Sequence, residues 1–185
     1  MSLIPSRLVT FAAFSMSFLL ACDTLAGETD VSGLIASQFV SVTLDQDGVD
    51  GASIVAAKAV TPETFLTQVR EKMSVIDSVS IARVKIEPLA NGAVAADAWS
   101  DVVSDQLVVA LVPASGDPIE VAHVAVPTAG REALLATVTA TRAQLDAAPD
   151  IAAGRFLVRL SASTPRAASD TFALTARVEI EFIAF

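Results

Sequence analysis

Four places in this chain hold residues whose types and spacing suit chemistry. The first is the acidic run Asp45-Gln46-Asp47-Gly48-Val49-Asp50-Gly51. Calcium takes six to eight oxygens on a tight loop, often from Asp at alternate positions. Asp45 and Asp47 match the first and third positions. The pattern then breaks: Val49 stands fifth, Asp50 replaces the turn glycine, and Ala56 stands twelfth. An acidic hairpin turn fits these residues, with Asp45, Asp47 and Asp50 as an incomplete calcium set. The second place is Trp99 with Asp101 and Asp105. On a helix the two acids share a face beside an aromatic ring, which is the equipment of sugar cleavage. The third is His123, the sole histidine, on the same strand face as Ile119 and Val121. One histidine supplies neither a three-ligand zinc site nor, without a Gly-x-Ser-x-Gly elbow, a serine relay. A hydrogen-bonded strand histidine near a sheet rim fits it. The fourth is Cys22, the sole thiol.

Cys22 ends the stretch Leu19-Leu20-Ala21-Cys22, which follows an apolar run. Arg7 is the only charge before that run, and Leu8 to Ala21 is apolar except for Thr10, Ser15 and Ser17. This is the grammar of an export signal. At about fourteen residues the run is short for a membrane-spanning helix, which needs roughly 20. An uncleaved helical anchor and a signal cut at an ordinary small-residue site are the other readings of the run. The four residues resemble the lipobox of bacterial lipoproteins. A cysteine thiol is the side chain best suited to form the thioether. Ala21 is small, as the peptidase requires, and Leu19 is apolar three positions before the cysteine. The resemblance covers residues 1–22. It implies cleavage between Ala21 and Cys22 and a diacylglycerol on the Cys22 sulfur. It also implies, in most Gram-negative relatives, an acyl group on the new amino terminus. Two or three chains hold a protein on a bilayer almost permanently, whereas one holds marginally. Asp23 resembles the inner-membrane retention signal of enteric bacteria; other lineages sort differently, so inner against outer membrane stays open.

Composition narrows the rest. Removing residues 1–21 from the 185 leaves 164, enough for one domain with a real core. The loss of Arg7 leaves 11 basic residues against 21 acidic, a net charge of −10 where the full chain has −9. Nucleic acid requires stripes of Lys and Arg, so it is not an expected partner. No disulfide, thiolate metal site or cysteine nucleophile is available beyond Cys22. The chain has no tyrosine and one tryptophan, which is poor equipment for an aromatic sugar platform. It contains no glycine-rich phosphate loop and no dinucleotide fingerprint.

The elements read mostly as strands. Residues 23–33 are small and polar and form a tether of at most about 35–40 Å. Phe39 to Leu44 and Ser53 to Val60 flank the acidic turn and suggest a hairpin. Thr61-Pro62-Glu63 opens a helix with Phe65, Val69 and Met73 on one face. In Ser78 to Pro88, Ala82, Val84 and Ile86 oppose Arg83, Lys85 and Glu87. Asn91-Gly92 marks a turn. Gln106 to Pro113, Ile119 to Pro127 and Ala133 to Thr141 read as strands, and Ala143 to Ala153 as a short helix or loop. Phe156 to Ser163 and Thr171 to Phe185 are two long strands. In the last, Val178, Ile180 and Phe182 oppose Arg177, Glu179 and Glu181, and Arg159 could pair with one of those acids.

Turns every 8–15 residues predict an antiparallel β-sandwich, immunoglobulin-like in general architecture, with one or two short helices. The expected organisation is a signal peptide over 1–21, a lipidated cysteine and tether over 22–33, and one sandwich domain over 34–185. The expected function is noncatalytic. A lipid-anchored envelope protein would bind or assemble with an envelope protein through its sandwich, with no cofactor beyond the lipid. The alternatives are a calcium-dependent adhesive or carbohydrate-binding module and an envelope hydrolase using acids near Trp99.

Overall fold

The computed structural model describes residues 34–60, 78–90, 98–126 and 130–185. The export run, Cys22, the tether, the helix read at Thr61 and the Asn91-Gly92 turn lie outside them. Among the described residues there are nine strands: β1 Leu34–Asp45, β2 Val49–Asp50, β3 Ser53–Val60, β4 Val79–Leu89, β5 Gln106–Pro113, β6 Ile119–Ala125, β7 Leu134–Val138, β8 Phe156–Ser163 and β9 Ala173–Ala184. Three short helices among the described residues join them: α1 Trp99–Val102, α2 Arg142–Asp146 and α3 Pro149–Ala152.

The strands follow the order β1-β9-β4-β7-β6-β5-β8-β3-β2, and all pairs are antiparallel. β7 belongs to both halves. It pairs with β4 from Ala136 and Leu135 and with β6 from Val138 and Thr137. The ladder therefore folds over on itself into two layers, β1-β9-β4-β7 against β6-β5-β8-β3. Most connections cross from one layer to the other, which is the wiring of a jelly roll. The mostly-β antiparallel sandwich read from the sequence is thus present.

Alternation drives the burial. Val42 and Leu44 of β1, Val84 and Ile86 of β4, and Val178, Ile180 and Phe182 of β9 point inward and are almost fully buried. From the other layer come Ile54, Leu107, Val109, Leu111, Val158 and Leu160. The Phe156 and Phe182 rings meet across the core at 6.2 Å between centroids. As expected, Arg177, Glu179 and Glu181 face outward, where Glu181 and Glu179 oppose Arg83 and Lys85 of β4.

Three local features differ from the pattern that strict alternation and chain order predict. The runs flanking the acidic turn do not form a hairpin with each other: β1 pairs with β9 over twelve rungs and β3 pairs with β8. Only the two-residue β2 folds back on β3. Gly48 permits the crossing between layers, since a Cβ there would collide with the Val55 carbonyl oxygen. Ala82 does not point with Val84. A register shift between Ile81 and Arg83 makes it an exposed bulge residue. Arg159 cannot pair with the acids of β9, because β8 lies in the opposite layer between β3 and β5.

Candidate functional site

The acidic turn uses its own carboxylate. Asp45 caps the helical turn Gln46–Gly48 by accepting from the Asp47 backbone N–H at 3.1 Å. Gly51 takes φ +60° in the β2–β3 reversal. Among the described residues no three His, Cys, Asp or Glu side chains gather as a metal site.

Trp99 is a core residue, 0% exposed. Its indole N–H donates to the Glu132 carbonyl at 2.9 Å and its backbone N–H to the Gly130 carbonyl at 3.1 Å. The ring therefore presents no face to a sugar. Asp101 accepts from the Ala98 backbone N–H at 3.1 Å. The helix ends at Val102 and Val103 is extended, so Asp101 and Asp105 do not share a helix face. The apolar-then-polar sequence around Trp99 signals burial and capping, and the short helix removes the i, i+4 relation.

His123 lies on the opposite face from the one expected. A register shift at Val109/Ala110 inserts Val121 as an extra inward residue. Ala122 then pairs inward with Val109, and His123 points outward beside Val108 and Thr137. Its Nδ1 is 3.2 Å from a Glu120 carboxylate oxygen.

Asp150 is a polar centre that the sequence reading missed. It is buried at the start of α3 and accepts four hydrogen bonds. Ser115 gives its backbone N–H at 3.0 Å and its hydroxyl at 2.6 Å; Arg155 gives Nε at 3.0 Å and a terminal nitrogen at 2.7 Å. Hydrogen bonds from Ser115 and Arg155 hold its carboxyl below the ordinary value of 3.8, against the cost of burial. The network staples the turn after β5 to α3. Its only sequence signal is an acid just after Pro149, at the first turn of a helix, with Arg155 close by.

A folded-state pKa lowered in this way gives stability that is complete above pH 3.8. That stability is lost as pH falls through the folded value. Asp150→Asn should therefore melt earlier at pH 7. It should also lose less further stability than wild type on acidification below about pH 4. Parallel acid limbs in thermal melts of the two proteins would contradict this role.

The two outer sheet faces differ. On the β1-β9-β4-β7 face, Arg83 lies 3.4 Å from Glu179 and 3.0 Å from Glu181, and Arg177 lies 2.6 Å from Glu87. Ile35, Phe39 and Leu135 are exposed there, but charged rungs separate them and Arg177 stacks over Phe39 at 5.8 Å. In one rung the order is Phe39, Glu179, Lys85, Leu135. Scattered apolar exposure of this kind is ordinary.

On the β3-β8-β5 face apolar residues surround Arg159 instead. Its outward residues are Val55, Ala57 and Ala59 on β3, Leu157, Arg159 and Ser161 on β8, and Val108, Ala110 and Val112 on β5. Val55 is 43% and Leu157 38% exposed. Shallow depressions of about 380 Å³ lie at each end, one around Ser53, Gln106 and Ser163, the other around Ala59, Val112 and Leu157. Arg159 stands at the centre between Ala57 and Ala110. Its Nε is buried and has no hydrogen-bond partner.

The chain matches no family model and no curated protein. Among solved structures it is similar to one of Desmodium yellow mottle tymovirus, with 9% identity and a TM-score of 0.28 over 89% of this chain and 95% of that one. It is also similar to the cryo-EM structure of Mud crab tombus-like virus, with 8% identity and a TM-score of 0.33 over 97% of this chain and 93% of that one. Likenesses this slight do not bear on what this chain does.

Proposed function

We propose that this chain is a noncatalytic, lipid-anchored protein of a bacterial envelope that binds another protein through the outer β3-β8-β5 face. The anchor half of the reading rests on Leu19-Leu20-Ala21-Cys22. The binding half rests on one observation: the apolar residues of β3, β8 and β5 that surround the outward Arg159. A contiguous apolar patch rimmed by polar residues is the surface signature of a binding partner. On the opposite face the charges are already paired.

Recovery of partners from detergent-solubilised envelope tests this reading, using the intact chain as bait. Wild type and a Leu135→Lys control on the opposite face should recover the same specific protein. A Val55→Lys/Leu157→Lys double variant should recover about tenfold less, because two cations now sit in the apolar contact. No specific protein, or equal recovery by all three baits, contradicts the reading.

A further inference from the structure

We propose that the partner of the β3-β8-β5 face presents a carboxylate flanked by apolar side chains, and that Arg159 receives it. This inference rests on the binding reading above and specifies its chemistry.

Three features carry it. Arg159 is held outward because its neighbours Val158 and Leu160 are fully buried in the core. The side chains directly opposite it, Ala57 and Ala110, are methyl groups that offer the guanidinium no acceptor. Among the described residues the acid in the same rung is Glu120, across Ala110 on β6, and it is engaged with His123. Arg159 forms no ion pair with any described residue, and its Nε has no acceptor. A guanidinium in apolar surroundings presents a planar fork of donors that matches a carboxylate in two parallel hydrogen bonds. Val55 and Leu157, diagonal to it or adjacent, supply apolar contacts on either side.

Other occupants fit less well. A second copy docked on a two-fold axis through this face would bring Arg159 toward Arg159, a like-charge contact. Nucleic acid needs many cations, and this chain has a net charge of −9.

A photoreactive phenylalanine analogue placed at Ala57 of the full chain, in its native envelope, tests the inference. A second placement at Leu135 samples the opposite face. Mass spectrometry of the crosslinked peptide reads the partner's chemistry. From Ala57 the expected product is a segment of another protein with Asp or Glu among apolar residues. Its yield should fall about tenfold with Arg159→Gln and recover only in part with Arg159→Lys, which keeps the charge but not the fork. Reversing the mapped acid to Lys, together with Arg159→Glu, should restore it. A crosslink from Ala57 that is indifferent to Arg159→Gln, or that joins a second copy, overturns the acid-recognition inference but leaves face-directed binding standing if another protein is captured. Absence of crosslinks from Ala57, with or without products from Leu135, overturns both. An unchanged thermal melt of each variant shows that lost yield is not lost folding.

Discussion

Cys22→Ser should abolish membrane attachment on the proposed anchor, moving the chain from almost wholly membrane-bound to background. The reason is chemical. Lipid transfer forms a thioether, and a thiol ionises near neutral pH where a serine hydroxyl does not. Without the lipid no signal cleavage at residue 22 follows, so the precursor should keep residues 1–21. The size of the effect follows from chain number. Each buried methylene contributes about 0.8 kcal/mol, so two or three acyl chains separate bound from free by many orders of magnitude. The acidic body supplies no substitute attachment to anionic lipid. Fractionation and immunoblotting of wild type and variant check this. A variant that is processed and membrane-bound like wild type refutes the anchor.

Trp99→Ala is expected to cost about 3–5 kcal/mol of folding stability, a large share of the 5–15 kcal/mol typical of a domain. Trp99 is completely enclosed, so its removal leaves a cavity among Val102, Val103 and neighbouring core residues. It also strips the Glu132 carbonyl of its 2.9 Å donor. Trp99→Phe separates the two contributions, since it fills much of the space and removes only the donor; about 1–3 kcal/mol is expected for it. Urea unfolding of the full chain measures both. A loss under 1 kcal/mol for the alanine variant would show that Trp99 is not a core anchor.

Alternation made much of the body legible. Val178, Ile180 and Phe182 against Arg177, Glu179 and Glu181 define both the strand and its buried face, because side chains alternate with a period of two. Pairing was not legible in the same way. β1 and β3 are neighbours in sequence yet belong to different layers, and β1 finds its partner in β9 at the far end of the chain. Partners so distant in sequence leave no local signal. Bulges failed for a related reason. Ala82 and Val121 are small or apolar residues that fit either face, and a single inserted residue reverses the facing of everything after it. His123 faces outward for this reason, opposite to the face that strict alternation predicts.

The site was legible in part. Val158 and Leu160 fix Arg159 as an outward residue from sequence alone. Which acids it would meet depends on strand order, and the crossing between β8 and β9 separates it from Glu179 and Glu181. Asp101 and Asp105 share a face only on a helix that runs through both. The chain ends that helix after one turn at Val102. At Trp99 and at the Asp45–Asp50 turn the structure encloses the Trp99 ring and uses Asp45 as a cap.

Everything assigned to this protein's working surroundings depends on a sulfur-linked lipid at position 22. Intact-mass and peptide mass spectrometry of the protein purified from its native membrane tests that most directly. The expected product begins at Cys22 and carries a diacylglycerol on Sγ. A chain that retains Met1 with an unmodified Cys22 would contradict it.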